Sequence, residues 1–190
     1  MTKKVLFFVL SVMVLMPQLA QAAEAKPIQL AIFDPIQLVP ENESINGLSL
    51  SLIYGANQDV GGISLGLINR TKGRGVGLQW GAANITEGDF SGVQLGFVNW
   101  DEGFMHGLQY GFLNVSKGQS AGMELGMVNY SEGSFKGLQF GGVNYAKEMH
   151  GLQFGFVNYT KSLDGLQIGL GNYNGNKKPF EFMVLVNWSF

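Results

Sequence analysis

The chain has 190 residues, a net charge of −2, no cysteine, and 14% charged residues against 46% hydrophobic and 12% aromatic. The missing cysteine excludes disulfides, thiolate metal sites and a lipid-modified cysteine after an export signal, and the small net charge speaks against nucleic acid or a strongly charged partner. A soluble domain carries roughly 25% charged residues, so charges are too few here to coat an ordinary water-facing surface.

Residues 1–22 read as a secretory signal peptide. Lys3 and Lys4 precede an apolar run from Val5 to Met16, then Pro17 and the small-residue site Ala20-Gln21-Ala22, which places the mature start near Ala23. The run is too short for a membrane helix, which needs about 20 residues. Residues 23–46, with Pro27, Pro35 and Pro40, are a separate N-terminal segment, expected to be periplasmic or luminal.

From Gly47 onward the chain repeats. Copies of G-L-Q-x-G-x-x-N begin at Gly62, Gly77, Gly92, Gly107, Gly122, Gly137, Gly151 and Gly165, with a worn copy at Gly47; the spacing is 15 residues up to Gly137 and 14 thereafter. Within a unit the second, fourth and sixth positions are large and apolar, as in Leu152, Phe154 and Phe156, while Gln153 and Gly155 lie between them. Alternation at period two is the mark of a β-strand. Short segments such as Thr71-Lys72-Gly73, Asp101-Glu102-Gly103 and Ser131-Glu132-Gly133 separate the units and suit hairpin loops closed by a glycine. The two 14-residue spacings lack that glycine. Almost every charge falls in a turn or near a strand end.

The last segment differs. Phe182, Val184, Val186, Trp188 and Phe190 alternate with Glu181, Met183, Leu185, Asn187 and Ser189. This ending resembles the C-terminal signature of bacterial outer-membrane barrels, which implies that those five residues form an insertion signal read by the barrel-insertion machinery.

The expected fold is all-β: an antiparallel up-and-down outer-membrane β-barrel of about ten strands over residues 47–190, nine repeat units plus the final strand. An even number returns both ends to the periplasm. Parity then puts the turns near Asp59, Glu87, Lys117 and Lys147 and the loop 174–178 outside. The Leu/Phe/Trp face meets lipid, and Gln79, Gln94, Gln109, Glu124, Gln139, Gln153 and Gln167 line the lumen. The rival fold is a β-solenoid, in which each unit is one coil and equivalent residues stack in parallel ladders, such as an Asn ladder from Asn69 to Asn172.

Glu124 is the only acid in the middle of a repeat strand; it reads either as a pore charge favouring cations or as a solvated lumen residue bonded to Gln109 and Gln139. His106 and His150 each precede a unit glycine and lack the partners that catalysis or metal binding needs. Trp100, Tyr130, Tyr145, Tyr159 and Tyr173 follow the unit Asn. In a barrel they suit an interfacial girdle, although strict alternation puts them on the Gln face; in a solenoid they stack at a corner.

The tandem GLQxGxxN copies resemble a family of bacterial surface-repeat proteins, over about Gly47 to Asn172. Ser64 and Glu124 depart from it at the Gln position and Ser51 at the second Gly. The resemblance implies surface or outer-membrane location without an activity. The expected function is therefore a non-enzymatic outer-membrane barrel, structural or a narrow pore, without cofactor or metal, whose partners are outer-membrane lipid, the insertion machinery and an unspecified surface ligand. The alternative is a secreted or surface-attached β-solenoid that binds a partner in the manner of an adhesin.

Overall fold

The computed structural model describes residues 25–190; the signal peptide expected at residues 1–22 lies outside them. In chain order the strands are β1 (Lys26–Phe33), β2 (Ile36–Gln37), β3 (Ile45–Asn57), β4 (Val60–Thr71), β5 (Gly75–Trp80), β6 (Ala83–Thr86), β7 (Phe90–Leu95), β8 (Val98–Asp101), β9 (Met105–Ser116), β10 (Ser120–Asn174) and β11 (Phe182–Ser189). β10 runs unbroken through several turns of the chain.

The barrel is overturned by the direction of pairing. From β3 to β10 every ladder is parallel: Ser64 pairs with Gln79, Gln79 with Gln94, Gln94 with Gln109 and Gln109 with Glu124. A hairpin barrel pairs successive strands antiparallel. Here each repeat is one coil laid on the last, a β-solenoid. The segments expected as hairpin loops are corners of the coil, and they stack too. The amides of Glu87, Glu102 and Lys117 donate to the carbonyls of Thr71, Thr86 and Asp101 at 2.9, 2.9 and 2.8 Å. Turns that parity assigned to opposite sides of a membrane therefore lie in one row, and Lys117 Nζ reaches Glu102 across adjacent coils at 3.1 Å.

Glycine at the first unit position is dictated by this stacking. Gly107 has φ +139°, and a Cβ there would lie inside contact distance of the carbonyl oxygen of Gly92 one coil below. Such a φ disfavours any other residue, and the clash recurs along the row. Where the repeat shortens, the residue is removed at the corner: Asn144 still meets Asn158, and Gln139 still meets Gln153, at a separation of 14. Beneath the shortened corners Phe135, Ala146, Met149 and Leu163 form a dry cluster.

Both ends are covered. The N-terminal segment expected in the periplasm or lumen is the first layer of the stack: β1 pairs parallel with β3, Gln29 against Ser49, and folds back through the antiparallel β1–β2 hairpin. Val39 joins Ile45 and Val60 in a small core there. At the other end β11 lies antiparallel on the last coil, from Gly165↔Ser189 to Tyr173↔Phe182. Of the residues expected as a barrel-insertion signal, Phe182, Val184, Val186 and Trp188 lie in this strand and Phe190 directly follows it. Phe182, Val184, Val186 and Trp188 point outward from it, and Phe190 is almost fully exposed.

Candidate functional site

The seven residues expected to line a lumen are brought together, inside the coil rather than around a channel. Gln94, Gln109, Glu124, Gln139, Gln153 and Gln167 are fully buried and Gln79 nearly so. A primary amide carries two donors and one acceptor oxygen. Buried in an apolar coil it is costly unless these are used. The parallel register uses them: Gln94 Nε2 donates to Gln79 Oε1 at 3.0 Å, Gln109 to Gln94 at 3.0 Å, Gln153 to Gln139 at 2.7 Å and Gln167 to Gln153 at 2.8 Å. The ladder ends at Gln167, whose Oε1 is buried without a partner among the described residues; the next strand, β11, places Asn187 rather than a glutamine opposite it.

A second ladder runs from Asn69 to Asn172. Each Nδ2 donates to the Asn oxygen of the next coil, as from Asn114 to Asn129 at 2.8 Å, and to the carbonyl of the fourth unit position, as from Asn114 to Leu125 at 3.1 Å. The Asn side chain thereby closes the corner between the fourth and eighth positions from inside. On the outside of the next position the tyrosines stack: Tyr130, Tyr145, Tyr159 and Tyr173 follow one another with ring centroids 4.7, 5.4 and 4.5 Å apart. They are the corner stack of the solenoid reading.

Glu124 interrupts the Gln ladder. It accepts from Ser116 Oγ at 2.9 Å, Ser131 Oγ at 3.0 Å and Gln139 Nε2 at 2.7 Å. It is therefore not solvated, and once ionised it has no proton to give to Gln109; Ser116 Oγ lies within reach of both Glu124 at 2.9 Å and Gln109 Oε1 at 3.3 Å, but its single proton serves only one of them at a time. Burial pushes its carboxyl up from 4.5 to about 7, against the lowering effect of its three hydrogen-bonding neighbours.

A second buried acid escaped the sequence reading. Asp101 opens the turn segment Asp101-Glu102-Gly103, yet it is fully buried and accepts from Gln94 Nε2 at 2.9 Å and Gln109 Nε2 at 2.8 Å. Burial again raises its carboxyl, from 3.8 to about 7, with Glu124 adding repulsion. The signal was present in the alignment of units: Asp101 occupies the position of Thr71, Thr86, Ser116 and Ser131, all buried. His106 and His150 remain peripheral. His106 lies edge-on to Phe104, and His150 Nδ1 meets the exposed Asp164 at 3.2 Å. Among the described residues no group of His, Asp and Glu could hold a metal ion.

The outer face carries the most unusual surface chemistry. The fourth and sixth unit positions project outward on either side of the second glycine, making two rows that run the length of the stack. Trp80 is 62% exposed, Phe97 62%, Tyr110 59% and Phe156 63%. Phe97 and Phe112 stack at 4.9 Å in the sixth-position row, and Phe140 and Phe154 at 5.2 Å in the fourth. The floor between the rows is bare glycine, and three hollows follow it. One of about 1180 Å³ lies under the β1–β2 hairpin and reaches Trp80 and Gly81; others of about 640 and 630 Å³ continue along Gly96, Gly111, Gly126, Gly141, Gly155 and Gly169. Among the described residues, no charged side chain lines any of the three.

Set against protein-family models, curated proteins and solved structures, the chain matches none.

Proposed function

We propose that this chain is a non-enzymatic, exported β-solenoid of the bacterial envelope or cell surface that works as a binding module through its outer apolar rows. The observation that carries the reading is the exposure of those rows. A monomeric soluble protein rarely exposes a contiguous apolar patch beyond about 300–600 Å², and here aromatic side chains at 50–63% exposure stand on successive coils, among them Phe97, Tyr110 and Phe112. The interior supports a structural role: its polar groups are spent on one another in the Gln and Asn ladders, which holds the coils rigid behind the outer face. Export rests on the leader at residues 1–22, and surface location on the resemblance of the GLQxGxxN units to surface-repeat proteins.

Fractionation of cells producing wild type and a Phe97→Asp/Phe112→Asp variant tests the reading. Wild type is expected in the envelope or at the surface, and the variant, still folded by circular dichroism, is expected to be released into the soluble fraction. Identical distribution of the two proteins refutes the working face, and retention of both in the cytoplasm refutes export.

A further inference from the structure

We infer that the apolar rows are covered by a second copy of this chain, packed face to face with its solenoid axis pointing the same way. The inference rests on the reading of this face as the working surface and names its occupant.

Area comes first. Eleven side chains of the two rows from Leu52 to Leu170 are 43–72% exposed. A buried aromatic covers roughly 150–250 Å², so half-exposure of such side chains leaves on the order of 1,000 Å² per copy. A stable interface needs about 800 Å² per partner. The face is also free of charge along its hollows, so pairing it with itself desolvates no ion.

Size complementarity comes second. The sixth-position row is small in two coils, Ala82 and Gly142, and in those same coils the fourth-position row carries Trp80 and Phe140. Two faces can meet about a two-fold axis in two ways. With the axis parallel to the solenoid, the fourth-position row of one copy faces the sixth-position row of the other, coil by coil. Trp80 then lies opposite the partner's Ala82, and Phe140 opposite the partner's Gly142. With the axis across the solenoid, fourth faces fourth, and large side chains oppose large ones while gaps oppose gaps. Close packing favours the first arrangement.

Sedimentation equilibrium of the protein at micromolar concentration, with single-cysteine spin labels at Leu67→Cys and Leu170→Cys, tests both parts; the chain has no cysteine of its own. A dimer is expected, with short label-to-label distances at both positions, set by a sheet spacing of about 10 Å plus the label arms. An antiparallel dimer centred on the coil of Phe112 instead separates the Leu67 pair by six coils and the Leu170 pair by eight, roughly 29 and 38 Å at about 4.8 Å each, and would overturn the arrangement. Phe112→Asp, in the central coil, is expected to weaken the dimer at least tenfold while remaining folded, since Phe112 is half exposed in the single chain; an unchanged dimer overturns the interface. A monomer at every concentration overturns the inference, and a monomer that binds phosphatidylethanolamine/phosphatidylglycerol vesicles assigns the face to lipid instead. The two readings fail separately: a monomer whose Phe97→Asp/Phe112→Asp variant leaves the envelope keeps the working face and loses the second copy. A dimer whose variant stays in the envelope does the reverse.

Discussion

Replacing Glu124 by Gln should stabilise the protein at neutral and alkaline pH and remove part of its pH dependence. In the folded chain the Glu124 carboxyl keeps its proton up to about 7, whereas the unfolded chain releases it near 4.5. Unfolding therefore releases a proton throughout that window, so stability falls as pH rises from about 4.5 to 7 and is level above it. The loss is roughly 3 kcal/mol, from about 1.4 kcal/mol for each tenfold change in proton affinity. Gln at 124 has nothing to ionise. Its Nε2 can donate to Gln109 Oε1, and its Oε1 can accept from Gln139, which now reaches Glu124 at 2.7 Å, so the ladder closes without a gap. Urea unfolding followed by tryptophan fluorescence and far-ultraviolet circular dichroism, at pH 4 through 8, reads the difference. The variant is expected to exceed wild type by about 3 kcal/mol at pH 8 and to match it within about 1 kcal/mol at pH 4. A residual fall with pH should persist in the variant, because Asp101 is held up to about 7 in the same way. Equal stability at pH 8, or a variant less stable than wild type, would refute the account of Glu124 as a costly break in the ladder.

Two further perturbations probe the stack. Asn114→Ala removes the donors to Leu125 and Asn129 and strands the incoming Asn99 Nδ2, which bonds Asn114 Oδ1 at 2.9 Å; with each buried orphan costing about 1–3 kcal/mol, the loss should reach about 3–5 kcal/mol in thermal or urea unfolding, and a loss under 1 kcal/mol would mean that the Asn ladder is not structural. Gly107→Ala places a methyl against the Gly92 carbonyl and should block the folded coil, whereas Gly171→Ala, whose nearest neighbour would be the Phe182 ring at 3.5 Å, should change stability by less than about 1 kcal/mol. Circular dichroism of the pair decides the point, since comparable effects would contradict the stacked-glycine geometry.

Much of this was legible in the chain. The 15-residue period, the β character of the unit, the inward Gln and the outward Leu, Phe and Trp all follow from alternation and recurrence, and the structure keeps each of them. Alternation, however, is a property of one strand and is the same whether its neighbour runs parallel or antiparallel. The charge-poor strands, the even count and the aromatic ending from Phe182 to Phe190 suited a barrel, yet they describe composition and number rather than pairing. Pairing was decided by side chains that must meet across coils. An inward Gln or Asn finds its amide partner every 15 residues only if identical positions stack in parallel, and a glycine at every first position is demanded only when the carbonyl of the previous glycine lies directly beneath it. Asp101 was hidden for the same reason: its neighbours in sequence are turn residues, while its neighbours in space are Gln94 and Gln109. The repeat, its faces and its period can be read from the residues alone. Tertiary structure decided the direction in which copies meet, because only hydrogen bonds and contacts between distant residues distinguish a coil laid on a coil from a hairpin folded on itself.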